Sequence, residues 1–249
     1  MDKHSFSQFD TDLEAIARKV LTMGGLVEAQ LQRAIGALTS FDAKAADAVM
    51  HQEHRVDQME IEIDADLINL IARRTPVARD LRYAMAVSKI VTNLERAGDE
   101  AERIAKRSKH IMESAAAHVI NFSEVKQAAE LAGGLLRDAL DAFARENPTV
   151  ATATIQRDRV LDEEFRAFVR KLISYMVEDP RVISTALDFL FIAKAIERIG
   201  DHATNIAELV VYVVEGTDVR HASRDQFGAR REGDRRGARP PAQDDDPAA

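Results

Sequence analysis

Four carboxylates stand at matching points of a motif that occurs twice in this chain. The string ERAGD at residues 95–99 recurs as ERIGD at residues 197–201, so Glu95 and Asp99 reappear as Glu197 and Asp201. On a helix, side chains four residues apart project from the same face. Each motif therefore presents a pair of carboxylates, and such oxygen ligands are the ones that hard metal ions prefer.

A second acidic pair lies upstream of each motif. Glu53 and Asp57 precede the first motif, and Asp158 and Asp162 precede the second at the same spacing. If the helices that carry the two pairs are antiparallel neighbours, four carboxylates converge in each half of the chain. The predicted metal ligands are Glu53, Asp57, Glu95, Asp99, Asp158, Asp162, Glu197 and Asp201.

Solvated acids with arginine partners are the alternative to metal binding. Acidic pairs at this spacing should arise by chance about seven times in a chain so rich in acids, so a single pair carries little weight. Four pairs at mutually aligned positions are harder to explain by chance. Four convergent carboxylates without a cation would also repel one another and lose solvation. We therefore favour metal binding.

Two other residue types repeat inside the motifs. A glycine within a helix costs roughly 1 kcal/mol relative to alanine, so Gly98 and Gly200 indicate the close approach of a ligand cluster or, equally well, of another helix. Arg96 and Arg198 are candidates to orient a motif carboxylate from outside the ligand shell, with an ordinary surface salt bridge as the alternative.

The predicted ligand set is all oxygen, which favours magnesium, manganese, calcium or iron over a structural zinc. The expected cofactor is a divalent or ferric ion, and the sequence leaves open whether it is iron, manganese, magnesium or zinc. His54 and His202 adjoin motif positions, but Glu100 stands in place of His202 in the other repeat, so neither is a favoured ligand. Diiron enzymes typically supply Glu-x-x-His pairs, and none occurs at the matched positions, which disfavours redox catalysis.

Long helices must position these pairs. The chain of 249 residues is 46% hydrophobic but only 5% aromatic, and long stretches rich in Ala, Leu and charged residues are interrupted at Pro76, Pro148 and Pro180. This pattern predicts an all-α fold. We expect six helices at about residues 9–39, 43–73, 77–113, 123–146, 150–177 and 181–215.

The repeat extends beyond the motifs. Residues 24–27 match residues 133–136, and the offset between the copies drifts from 109 to 102 along the chain. We predict two tandem three-helix bundles, residues 1–116 and 117–216, followed by a charged tail at 217–249. The tail is rich in Arg, Asp, Gly and Pro, which predicts disorder, and a partner-docking arm is the less favoured interpretation.

Composition narrows the class of protein. The net charge of −8 argues against nucleic-acid binding, and the absence of cysteine excludes disulfides and thiolate metal sites. Neither a secretory signal nor a run of apolar residues long enough to span a bilayer is visible, so we expect a cytoplasmic protein.

These features resemble the PhoU family. The resemblance rests on the doubled E-R-x-G-D motif, the E/D-x-x-x-D pairs, the string PVARDLR at residues 76–82, and NIAE at residues 205–208. It covers about residues 5–216. The second repeat departs from the pattern because it lacks the ARDLR string, so the two metal sites are free to differ in occupancy or in the number of ions.

The resemblance implies two similar three-helix bundles that bind multinuclear metal clusters. It further implies a non-enzymatic negative regulator of the phosphate (Pho) regulon that also modulates phosphate uptake. Such a protein is expected to link the PstB-like ATPase of a phosphate ABC transporter to a PhoR-like sensor histidine kinase, to form a homodimer, and to meet the membrane only through partners. The alternatives are a carboxylate-bridged metal enzyme or metal store, and an accessory subunit of a phosphate permease.

Overall fold

The structure, a computed structural model, describes residues 3–216. Residues 217–249, for which the sequence predicts disorder or a docking arm, lie outside that range. Within it the chain forms six α-helices and no strand, which confirms the predicted all-α fold. The helices are α1 (Lys3–Ser40), α2 (Ala43–Arg74), α3 (Ala78–Glu113), α4 (Ser123–Ala144), α5 (Pro148–Glu178) and α6 (Ile183–Glu215), with a short 3-10 turn at Pro180–Val182.

The same turn joins the first two helices of each repeat. Phe41 and Glu146 adopt left-handed backbone conformations, with φ of 53° and 46°. The backbone N–H of Asp42 and that of Asn147 then donate to the carbonyl five residues earlier, at 3.0 and 2.9 Å. The side chains of Asp42 and Asn147 cap the following helices by accepting from backbone N–H groups. Both repeats therefore have the same turn between their first two helices, with the same backbone hydrogen bond and the same type of side-chain cap.

Each repeat closes on itself as a three-helix bundle. In the first unit (α1–α3) and in the second unit (α4–α6), every helix packs against the other two. The units meet along α3 with α6 and along α1 with α4. In the described part of the chain, α2 and α5 contact only helices of their own unit, so the acidic pairs of α2 and α5 are carried on the outer helices. The predicted domain boundaries stay a prediction.

Aliphatic side chains fill the core of both units. Leu94 and Ile196, which lie just before the two motifs, are fully buried. Burial of such a side chain contributes about 1.5–3 kcal/mol, which fixes the rotation of α3 and α6 and hence the direction of the motif carboxylates. No helix in the described part of the chain contains an apolar stretch that could span a bilayer.

Candidate metal centre

In the first unit, α2 and α3 bring their acidic pairs together. Glu53 of α2 is only 6% exposed. Burial, and to a lesser extent the nearby charges of Asp57, Asp99 and Glu102, raise its pKa to about 7. Burial likewise raises the pKa of Glu95, with contributions from Asp99 and Asp57. All four predicted ligands of the first unit therefore lie within electrostatic reach of one another.

Two buried oxygen atoms in this cluster have no hydrogen-bond donor among the described residues. They are Oε1 of Glu53 and Oε1 of Gln30, a residue of α1 that is 2% exposed. The amide Nε2 of Gln30 donates to the other carboxylate oxygen of Glu53 at 3.1 Å. A Cβ placed at Gly98 would lie 2.9 Å from Glu53 Oε1 and 3.3 Å from Gln30 Oε1. Both acceptors therefore meet over the motif glycine, where a cation would satisfy them.

The acidic face of the first unit is longer than the sequence motifs indicate. Glu60 and Asp64 continue the face of α2 that carries Glu53 and Asp57. Thr92 Oγ1 of α3 donates to Glu60 at 3.4 Å, and Ser88 Oγ donates to Asp64 at 3.2 Å. Burial and the charge of Asp64 raise the pKa of Glu60. The helical spacing of these two acids was visible in the sequence, but no repeated motif marked them.

The carboxylates approach one another without forming a finished coordination shell. Among the residues that the structure describes, no three His, Asp or Glu side chains are arranged closely enough to hold a metal ion. Like charges repel at short range, so carboxylates on neighbouring helices stand apart until a cation neutralises them. Side-chain rotation would be needed for ligation. The ligand set of the first unit fits an oxygen-bound metal ion in its chemistry, and it stays a prediction.

The second unit has acids at the same four positions, but the side chains around them differ from those in the first unit. Asp158 is 1% exposed, and burial raises the pKa of Asp201 to about 6, with contributions from Glu197, Asp158 and Asp162. Here, however, Lys194 lies among the acids. Its Nζ donates to Glu197 Oε2 at 2.5 Å, and its charge counteracts the rise in the pKa of Asp201.

The two motif glycines lie against different side chains. Gly98 leaves room for the carboxylate of Glu53, as described above. A Cβ at Gly200 would instead collide with the side chain of Leu161 and would lie 3.1 Å from Asp158 Oδ1. Of the two interpretations of these glycines, the approach of an acid cluster suits Gly98, and close packing of two helices is the main reason for Gly200.

The motif arginines also differ. Arg96 lies near the first cluster, where its charge counteracts the rise in the pKa values of Glu60 and Glu95. Arg198 instead donates to Glu100 of the first unit at 3.1 Å. Because α6 crosses α3 at this point, Arg198 reaches across the unit boundary, so its observed contact is not the predicted one with a motif carboxylate.

The two histidines near the motifs differ in their surroundings. His54 is exposed, and its Nδ1 lies 3.9 Å from Asp57 Oδ2. His202 is half-buried, and its Nδ1 lies 3.1 Å from Asn93 Oδ1. Burial, together with the charges of Arg96 and Arg198, lowers the pKa of His202 to about 4. His202 is therefore neutral near pH 7.

A cleft of about 560 Å³ between α3 and α6 connects the two motifs. Asp99 and Asp201 both line it, together with the three arginines at 96, 103 and 198. The two candidate centres therefore open towards a common, highly charged groove at the boundary between the units.

Comparisons with known proteins agree on one family. The PhoU domain family matches residues 20–108 and 125–210, so it covers both repeats. A Burkholderia protein named phosphate-specific transport system accessory protein PhoU homolog is 52% identical over 229 residues, which are 91% of this chain and 97% of that protein. The Escherichia coli K12 protein named phosphate-specific transport system accessory protein PhoU is 38% identical over 227 residues, again 91% of this chain and 93% of that protein.

Solved structures give the same result. The crystal structure of PhoU from Pseudomonas aeruginosa is similar with a TM-score of 0.81 and 41% identity, and the match covers 84% of this chain and 100% of that one. The structure of the phosphate transport system regulatory protein PhoU from Streptococcus pneumoniae has a TM-score of 0.78 at 27% identity, over 85% of this chain and 99% of that one.

Proposed function

The chain belongs to the PhoU family, and from that premise we propose that it is a negative regulator of the phosphate (Pho) regulon that also restrains phosphate uptake. The observation that carries the proposal is the match of both repeats, at nearly full length, to proteins named as accessory to phosphate-specific transport. These names support a role in regulating phosphate transport. The repressing role goes further and depends on the family resemblance.

In this proposal the protein acts as an adaptor in the cytoplasm, between a PstB-like transporter ATPase and a PhoR-like sensor histidine kinase. Its physical character supports such a role. Long packed helices give a rigid body, and the acidic surface suits basic patches on a partner. Each unit also leaves apolar side chains exposed at equivalent places near the start of its third helix, namely Leu81 and Met85 in α3 and Ile183 and Leu187 in α6. Clustered apolar exposure of this kind is typical of surfaces that meet other proteins.

Metal binding is part of the proposal, at Glu53, Asp57, Glu95 and Asp99 of the first unit. The support is the pair of unsatisfied oxygens of Glu53 and Gln30 over Gly98. Bound there, a divalent or ferric ion would neutralise the carboxylates and tie α2 to α3. The second-unit set, with Asp158, Asp162, Glu197 and Asp201, stays a prediction of the sequence.

We propose no enzymatic activity, because the relatives are named as accessory or regulatory proteins. The metal enzyme or store and the permease subunit are the competing functions, and two experiments separate them from the adaptor. A deletion strain grown in abundant phosphate should express alkaline phosphatase, and a plasmid copy of the wild-type gene should restore repression. Purified protein should also bind the transporter ATPase or the kinase without any substrate present.

The results of these experiments distinguish the adaptor from the two competing functions. Normal repression in the deletion strain, together with no binding to either partner, would overturn the adaptor and return the metal enzyme to first place. Binding to a permease subunit alone would favour the accessory-subunit alternative.

A further inference from the structure

We infer that the second unit binds no metal ion because the ammonium group of Lys194 takes the place of the cation there. The inference rests on the proposed metal binding of the first unit and narrows it to that unit. Its basis is a comparison of the two acidic clusters, which arose by duplication but differ in the residues that surround the acids.

Lys194 is built into the second acidic cluster. It lies on α6 one turn before Glu197, and its Nζ is 2.5 Å from the Glu197 carboxylate. The same Nζ lies 5.4 Å from the ring centroid of Phe165 on α5, within the range of a cation–π contact. The ammonium group thus contacts a motif acid of α6 and an aromatic ring of α5, the two helices that carry the acids.

The aligned position in the first unit carries no charge. At the 102-residue offset that relates the motifs, Lys194 corresponds to Thr92. The hydroxyl of Thr92 lies within hydrogen-bonding distance of Glu60 Oε1 and of the backbone carbonyl of Ser88, and it donates to one of them at a time. The first unit therefore offers another oxygen at the point where the second unit supplies a cation.

The second unit has also lost most of the other oxygen groups of the extended face. At the offsets that align the helices, Glu60 and Asp64 become Phe165 and Val169, Ser88 becomes Leu190, Glu102 becomes Thr204, and Gln30 becomes Ala139. Apolar or neutral side chains thus replace groups that would supply ligands or support them.

The electrostatic consequence differs between the units. A divalent ion that enters the second cluster meets a fixed positive charge and must first displace it from Glu197. In the first cluster, no described lysine or arginine forms an ion pair with any of the four predicted ligands, and Oε1 of Glu53 and Oε1 of Gln30 have no hydrogen-bond donor. A cation that enters the first cluster therefore has no ion-paired ammonium or guanidinium group to displace from its predicted ligands.

The test uses the full chain with Mn²⁺ alone as the probe. Bound Mn²⁺ is measured per chain by elemental analysis after desalting and by the loss of the free-ion signal in electron paramagnetic resonance. The variants Glu53→Gln and Asp99→Asn should each weaken Mn²⁺ binding at least about tenfold. The matched second-unit variants Asp158→Asn and Asp201→Asn should leave it within error of wild type.

A gain of binding provides the stronger test. Lys194→Thr gives the second unit the residue that the first unit has at Thr92, and it should raise the amount of Mn²⁺ bound per chain. Lys126→Thr removes an exposed lysine from α4 and should not. Circular dichroism melting of each variant, with and without Mn²⁺, checks that it is folded and gives a second readout of binding.

Each outcome has one meaning. If no variant and no wild-type sample binds Mn²⁺, the proposed metal binding itself fails. If Mn²⁺ binds but Asp201→Asn loses as much of it as Asp99→Asn, metal binding stands and the assignment of Lys194 is overturned. Equal stoichiometry in wild type and in a folded Lys194→Thr variant also contradicts the assignment.

Discussion

Glu100 of α3 and Arg198 of α6 form an ion pair at 3.1 Å that joins the two repeats of the chain. Glu100 is 5% exposed and also accepts from Arg103 at 2.6 Å. One buried carboxylate therefore receives two guanidinium groups, one from each unit. The position of Glu100 in the second repeat is taken by His202, which is neutral, so the arrangement is not duplicated.

Removing the bridging carboxylate should loosen the contact between the units. We expect Glu100→Ala to lower the free energy of unfolding by about 1–3 kcal/mol, because both arginines lose a charged, largely buried acceptor. A double-mutant cycle with Arg198→Ala, measured by urea denaturation, should give a coupling energy of about 1 kcal/mol. The exposed pair Arg159 and Glu163 is the control and should couple much more weakly. Equal coupling in both pairs would contradict a special role for Glu100.

Metal-free protein should gain stability from Glu53 as the pH falls. The pKa of this group is about 7 in the folded protein against an ordinary value of 4.5, with Asp57, Asp99 and Glu102 as its charged neighbours. Between these values the folded state keeps a proton that the unfolded state releases. The contribution is therefore complete below pH 4.5 and is lost as the pH rises through 7.

The measurement is the difference in unfolding free energy between wild type and Glu53→Gln, in the presence of a chelator. That difference should change by up to about 3 kcal/mol across the window, with wild type gaining relative to the variant at low pH. Parallel pH profiles for the two proteins would show that neither burial nor the neighbouring charges raise the pKa of Glu53 in the folded protein.

His202 should have the opposite effect on stability from Glu53, so that its contribution becomes unfavourable as the pH falls. Its pKa is about 4 in the folded protein against an ordinary 6.5, because burial and the charges of Arg96 and Arg198 disfavour its protonated form. The unfolded state takes up a proton as the pH falls through 6.5, and the folded state does not. Wild type should therefore lose stability relative to His202→Asn between pH 6.5 and 4. A direct check is to follow the imidazole signals by NMR, where titration of His202 near pH 6.5 would be incompatible with this environment.

The motif glycine of the first unit should resist substitution. A methyl group at Gly98 would lie 2.9 Å from Glu53 Oε1, so Gly98→Ala must displace that carboxylate and weaken Mn²⁺ binding. The control is Gly25→Ala on α1, where nothing lies within 4 Å of the added carbon. Gly25→Ala should stabilise the protein by up to about 1 kcal/mol and leave Mn²⁺ binding unchanged. In chelator, Gly98→Ala should gain less stability than the control, and an equal gain would mean that Glu53 moves aside freely.

Sequence periodicity was enough to predict the helices, whereas the predicted set of metal ligands stays a prediction. The proline positions and apolar stripes gave helix limits within a few residues of those observed, apart from the earlier start of α1 at Lys3. The approach of Glu53 to Asp99 followed from duplication, because two aligned copies make a chance pattern improbable.

Contacts that depend on how the helices pack against one another could not be predicted from the sequence. Gln30 carries no motif, and only its burial beside Glu53 marks it as part of the first cluster. The contact of Arg198 with Glu100 depends on how α6 crosses α3, which helical periodicity does not determine. Lys194 became informative only when the structure placed its ammonium group against Glu197 and Phe165.

The matching turns at Phe41 and Glu146 have a consequence for the order in which the chain folds. Short connections let α1 meet α2, and α4 meet α5, within microseconds, because few residues must be ordered to close each loop. The contact of Glu100 with Arg198 joins residues 98 positions apart and carries a larger entropic cost. We expect each three-helix unit to form early and the two to dock late.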